Sequence, residues 1–127
     1  MNKKIILTAA VFGIIAVIFG AFGAHTLKDQ LSSSELSTWD KGVTYQFYHT
    51  LALLYLSTFA RYKNNLINIG YFCFVAGIIC FSGSLYVLAT RSITGIEMGQ
   101  LGLITPIGGL FFILGWLMLF LAALKDK

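Results

Sequence analysis

Charge is what this sequence has least of. Asp, Glu, Lys and Arg make up 11% of its 127 residues, about half the share that a soluble domain carries. The net charge of +4 forms no basic stripe and accompanies no nucleic-acid motif, which excludes a nucleic-acid partner. The Lys and Arg residues lie between apolar runs and read as topology signals. No His-x-x-x-His or Cys-x-x-Cys spacing occurs, and two histidines with at most one carboxylate near them make a thin metal site. Neither a nucleophile motif nor a carboxylate pair is present, which argues against an enzyme and leaves no cofactor to expect. The two cysteines, Cys73 and Cys80, are seven apart in one apolar run. On a helix their Cα atoms lie roughly 10 Å apart, too far for a disulfide, so they read as small packing residues.

What the sequence has is apolar length. Hydrophobic residues make up 57% of it, with a mean hydropathy of +0.82. One domain fits in 127 residues. Its fold class is an all-α membrane protein: a bundle of four transmembrane helices, over residues 5–24, 43–61, 67–90 and 103–124 of a single membrane domain spanning 1–127. Twenty helical residues reach about 30 Å, the thickness of a bilayer core. A signal peptide is the rival reading of the first run, but its apolar stretch exceeds the usual signal core of about 7–15 residues. Its small residues Ala9, Gly13, Ala16, Gly20 and Gly23 also share one face, as a packing helix requires. A matching stripe, Gly70, Cys73, Gly77, Cys80 and Ser84, marks the third run, and Gly108, Gly115 and Ala122 mark the fourth. Gly13, Gly20, Gly77 and Gly108 are thus expected at close helix crossings. Pro106 lies in the first turn of the fourth run, where a missing N–H costs least.

Between the first two runs, Ser32 followed by Glu35 fits a capping box, so a helix should start near Ser33. A short interfacial helix is expected there, turning near Gly42 into the second run, with Trp39 at headgroup level. Trp116 reads the same way, as part of an interfacial aromatic belt. Residues 91–102 read as an irregular, Gly-rich loop. Lys3, Lys4, Arg61, Lys63, Lys125 and Lys127 fall on one side of this arrangement, and Lys28, Lys41 and Arg91 on the other. That asymmetry predicts both termini in the cytoplasm, in a bacterial inner membrane.

The polar side chains gather in the outer half: His25 ending the first run, Tyr45, Gln46 and His49 beginning the second, Ser82, Ser84 and Tyr86 finishing the third, and Glu97 and Thr105 about the start of the fourth. Tyr45, Gln46 and His49 share one helical face, and polar groups in a membrane helix seldom face lipid. The two imidazoles have a sharp reading, a metal pair or proton relay, and a plain one, hydrogen bonding at helix ends. The inner half offers mainly Thr8, Ser57 and Thr58, which argues against a continuous aqueous pore. The first run has no acidic residue, unlike small proton-coupled drug exporters.

The segments Gly20-Ala-Phe-Gly-Ala-His25, Tyr45-Gln-Phe-Tyr-His49, Phe81-Ser-Gly-Ser-Leu-Tyr86 and Thr105-Pro-Ile-Gly-Gly109 resemble the signature of a small membrane family, the domain of unknown function 423. That family is similar to the vertebrate transmembrane protein 256 family. The resemblance covers nearly the whole chain and implies a four-pass membrane protein without established catalytic residues. Glu97 matches no feature of it. Two functions follow as expectations. One is binding or transport of a small or lipid-like ligand in an outer-half polar cavity. The other is a structural or assembly role, with the polar cluster fixing the bundle. A bonded, dry His49 favours the second. The partners to expect are the lipid bilayer, other copies of the chain, and a lipid or small-molecule ligand.

Overall fold

The computed structural model describes residues 2–59, 65–97 and 99–125, with Gln100 and Leu101 described by backbone alone. Arg61, Lys63 and Lys127, three of the charges in the topology argument, lie outside the described residues. Helix α1, Lys3–His25, begins where the Asn2 side chain accepts from the Ile5 amide. A 3-10 turn, Leu27–Asp29, leads into α2, Ser33–Leu56. The capping box is present as expected: Ser32 Oγ accepts from the Glu35 amide at 3.1 Å, and Glu35 Oε1 accepts from the Ser32 amide at 3.0 Å. Helix α3, Asn65–Gly77, passes through a π segment, Ile78–Ser82, into α4, Gly83–Thr94. Helix α4 ends at Gly95, whose φ of 72° suits glycine. A 3-10 turn, Gly99–Leu103, precedes α5, Ile104–Lys125.

The rods α1, α2, α3–α4 and α5 form an all-helical bundle. Among the described residues three stretches are long and apolar enough to cross a membrane: Lys3–His25, Asn65–Thr94 and Ile104–Lys125. Helix α2 has the length, 24 residues, but not the hydropathy, because Glu35, Asp40 and Lys41 occupy its first half and Gln46 and His49 its middle.

The expected break at Gly42 is absent, and α2 runs straight through it. Gly42 serves a close approach instead of a turn. A Cβ there would lie 2.8 Å from Tyr86 Cε1, and the Gly42 carbonyl accepts from Ser82 Oγ at 2.7 Å. The short piece between the first two helices is the 3-10 turn before Ser33. The expected 91–102 loop is shortened from both ends, by α4 reaching Thr94 and by the 3-10 turn at Gly99.

Helices α3 and α5 interlock by size. The Phe112 ring covers Gly77, the Phe74 ring covers Gly115, and the Phe81 backbone covers Gly108, so that no side chain fits at any of the three glycines. Small residues at such crossings let backbones approach without a hydrophobic driving force. On α1 the tight position is Gly23, under the Trp39 ring. A methyl at Gly13 or Gly20 would meet neighbours at ordinary contact distances, 3.8 and 3.5 Å.

The bundle has two apolar clusters. One gathers Ile5, Ala9, Leu53, Leu56, Phe74 and Phe112. The other gathers Leu27, Leu31, Trp39, Val43 and Ala89. Along α2 the buried polar residues Gln46 and His49 fall between these clusters. The polar groups therefore form a band, where the sequence suggests a wholly polar outer half. Aromatic and Leu side chains carried by the turn and the start of α2 seal the far side.

Candidate functional site

Helix α2 supplies the band, because 3.6-residue periodicity turns Trp39, Gln46 and His49 inward while Lys41, Thr44 and Tyr48 point out. Gln46 is 2% exposed. Its amide nitrogen donates to the Phe12 carbonyl of α1 at 2.8 Å. Its carbonyl oxygen accepts from the Tyr86 hydroxyl of α4 at 2.6 Å. One side chain thus ties three rods together. Two helical turns earlier, the Trp39 indole N–H donates to the Phe19 carbonyl at 2.8 Å. The two donors are seven residues apart on α2 and their acceptors seven apart on α1, so one antiparallel register serves both.

His49 faces the other way, toward α5. Its Nδ1 lies 2.7 Å from the Tyr45 carbonyl, and its Nε2 accepts from the Trp116 indole N–H at 3.1 Å. A carbonyl only accepts and an indole only donates. The ring is therefore the neutral tautomer with its proton on Nδ1, and both nitrogens are satisfied. Its face stacks on Phe112 with centroids 3.5 Å apart and planes 9° apart. The π segment brings Ser82 against α2, where its hydroxyl meets the Gly42 carbonyl. Ser84 Oγ donates to the Phe81 carbonyl at 2.9 Å and lies 2.6 Å from Thr105 Oγ1 on α5. Such π segments often mark functional positions; here it aligns two serines with different neighbours. Thr50 Oγ1 alone stands out among the described buried side chains, with no hydrogen-bond partner.

The nine cluster residues expected from the sequence divide accordingly. Gln46 and Tyr86 meet, Ser84 and Thr105 meet, and Ser82 and His49 each find other partners. Tyr45 takes part through its backbone carbonyl, while its ring stacks on Phe81 at 4.8 Å. His25 ends α1 exposed. The α1 end is level with Trp39, since Gly23 lies under that ring. His49 is ten residues further along α2, about 15 Å at 1.5 Å per residue. The two imidazoles therefore do not share partners, which removes the geometric basis for a metal pair. Glu97 lies exposed in the loop after α4, beside a hollow that Arg91 of α4 also lines, and apart from the band. Among the described residues no three His, Cys, Asp or Glu side chains gather to hold a metal ion.

Both tryptophans do more than mark an interface. Trp39 is 5% exposed and sits among Phe19, Phe22 and Tyr86. Trp116 is the thirteenth of 22 residues in α5. That central position was the available signal, since belt residues collect at span ends.

Outside the spans, the Glu35 carboxyl is held below its ordinary range. The Ser32 amide is the main cause, followed by the Ser92 hydroxyl, which donates to Oε2 at 2.7 Å. The same bond ties the start of α2 to the end of α4.

With this geometry in hand, the chain can be set beside known proteins. The model of the family described as "Protein of unknown function (DUF423)" matches residues 19–109. A UPF0382 membrane protein of Staphylococcus aureus (strain bovine RF122 / ET3-1) is 46% identical over 123 residues, covering 97% of each chain. A UPF0382 membrane protein of Staphylococcus epidermidis (strain ATCC 12228 / FDA PCI 1200) is 45% identical over 123 residues, with the same coverage. The UPF0382 membrane protein YwdK of Bacillus subtilis (strain 168) is 40% identical over 126 residues, covering 97% of this chain and 98% of its own. No solved structure matches. Near-complete coverage at these identities, together with the apolar helices, shows an integral membrane protein of bacterial type, and the chain belongs to the DUF423 family.

Proposed function

We propose that this is a four-pass protein, one membrane domain over residues 1–127 with both termini cytoplasmic, and that its role is structural: a bundle on which membrane helices assemble. The fourth pass is α2. Its partners lie at mid-span, since Phe12 is the tenth of 23 residues in α1 and Trp116 is near the centre of α5. A helix bonded to both at that depth is embedded beside them. On the same four sequence segments we also propose a kinship of the family with the vertebrate transmembrane protein 256 family. A structure of a vertebrate member with a different α2 packing would break that link.

The observation that carries the structural role is the contrast between the two faces of α2. On the inner face the side chains of Trp39, Gln46 and His49 are bonded within the protein, leaving none of them aimed at a ligand. On the outer face Thr44, Tyr48, Leu51 and Tyr55, spaced four, three and four apart, are all exposed. That spacing is the seam of a left-handed helix pair. Hydroxyls both donate and accept, so this stripe is complementary to itself across a two-fold axis. Its partner is a second copy of the chain. The ligand reading of the polar band has less support, because among the described buried side chains only Thr50 Oγ1 is unpaired.

Single cysteines at Thr44, Leu51 and Tyr55 in a Cys73→Ala, Cys80→Ala background test this in native membranes. Oxidation should give covalent dimers at these positions and few at Ile14 of α1 or Ile113 of α5. Equal yields on all three helices would remove the assembly role. A membrane-impermeant thiol reagent should label a cysteine at Lys28 from outside and one at Lys125 only after lysis; the reverse would overturn the topology.

A further inference from the structure

The assembly reading leaves one surface unused. A groove of about 490 Å³ runs between the end of α1 with its 3-10 turn and the outer part of α4. Phe19, Phe22, Trp39 and Tyr86 wall it with rings, and Ile93 and Ile96 stand at its mouth. The volume falls within the roughly 300–1,000 Å³ of small-molecule sites. Phe22, Ile93 and Ile96 are 43%, 47% and 49% exposed, so the groove opens sideways from the bundle, toward the bilayer that surrounds α1 and α4. Water in it would face almost only carbon.

Ile96 also lines a second hollow, of about 420 Å³, formed with Arg91, Glu97, Gly95 and Gly99. The two hollows therefore adjoin at that side chain. The second is polar and carries a guanidinium and a carboxylate together. It flanks the outer part of the groove, since Arg91 falls between the groove residues Thr90 and Ile93 on α4, and it is farther from the span centre than Tyr86 at the groove's inner end. Its wall is pinned by the Ser92–Glu35 bond. An apolar slot at membrane level, adjoining a cationic and an anionic side chain, is the outline of an amphiphile.

We propose that this paired groove and hollow bind one bilayer phospholipid of the amine-bearing, zwitterionic class. An acyl chain lies along Phe19, Trp39 and Tyr86, the headgroup phosphate lies on Arg91, and the headgroup ammonium lies toward Glu97. Guanidinium presents parallel N–H donors to phosphate oxygens. Glu97 separates this class from anionic phospholipids, which its carboxylate repels. The proposal does not rest on α2 pairing, since no residue of the outer α2 stripe lines either hollow.

Native mass spectrometry of the full chain, released from nanodiscs with equal amounts of phosphatidylethanolamine and phosphatidylglycerol of matched acyl chains, tests it. Wild type should retain one phosphatidylethanolamine per chain in about tenfold preference, equivalent to about 1.4 kcal/mol. Arg91→Gln should lose retention of both lipids, and Glu97→Gln should bring the two to parity. Both residues are exposed, so their variants should melt as wild type does. Thr90→Phe, which fills the groove but leaves Arg91 in place, should also lose the lipid. Equal retention of both lipids by wild type overturns the proposal, as does retention untouched by Arg91→Gln. So does a lipid-free dimer that Thr90→Phe disrupts, which would assign the groove to a second copy.

Discussion

The bond between His49 and Trp116 joins residues 67 apart in sequence and gives the sharpest test of a structural polar band. Trp116→Phe removes the donor to His49 Nε2 but keeps a ring against Phe74, which Trp116 meets edge-on with centroids 5.5 Å apart. His49→Phe removes the acceptor and preserves a ring stacked on Phe112. The Tyr45 carbonyl keeps its backbone partner in the helix, so the change at position 49 orphans only the indole N–H. An unpaired buried polar group costs about 1–3 kcal/mol in water-soluble proteins. Interhelical bonds measured in a membrane average ~0.6 and reach ~1.7 kcal/mol, because helices separated in lipid find other partners. The second range applies here, and Trp116 is 46% exposed, which favours its lower part. Replacing both partners with apolar rings is close to neutral. The double variant should therefore be more stable than the sum of the two single losses by ~0.6–1.7 kcal/mol, read from reversible unfolding in mixed micelles. Additivity to within about 0.3–0.5 kcal/mol would mean that the bond contributes nothing and that His49 is free for another purpose.

Two further outcomes follow from the packing and the cap. Gly77→Ala and Gly108→Ala should each lower stability by ~1–3 kcal/mol through overpacking, because Phe112 and the Phe81 backbone occupy the added volume. Gly13→Ala and Gly20→Ala should melt near wild type, and a uniform response across the four would refute the interlock. Glu35, outside the spans, has its folded pKa depressed by the Ser32 amide and the Ser92 hydroxyl. Its stabilising contribution is therefore present above the unfolded value and is lost as pH falls through the lower folded one. An acid titration of thermal stability should show this loss in wild type and not in Glu35→Gln; matching profiles would exclude the cap as its source.

The sequence by itself determined what depends on neighbours a few residues away. Apolar run length sets which helices can cross a bilayer, and α1, α3–α4 and α5 appear where the runs lie. The Ser32–Glu35 spacing sets the start of α2 because both partners of a capping box lie within one turn. The inward face of α2 was legible in part, since Gln46 and His49 follow from helical periodicity, whereas Tyr45, expected on the same face, is 37% exposed. What periodicity cannot supply is the rotation and depth at which one helix meets the next.

Tertiary structure decided those. The interlock of Gly77 with Phe112 and Gly115 with Phe74 sets the α3–α5 register and carries Trp116 to the depth of His49. The Trp39 ring over Gly23 slides α1 along α2 until the Phe12 carbonyl lies beside Gln46, and leaves the His25 end of α1 level with Trp39, ten residues short of His49 along α2. Gly42 looks locally like a turn, and only Ser82 and Tyr86, arriving from 40 and 44 residues away, show that the helix continues there so that another helix can approach. Polar residues that the chain lists as one outer group were thus sorted into separate bonded pairs by contacts that exist only once the helices are packed.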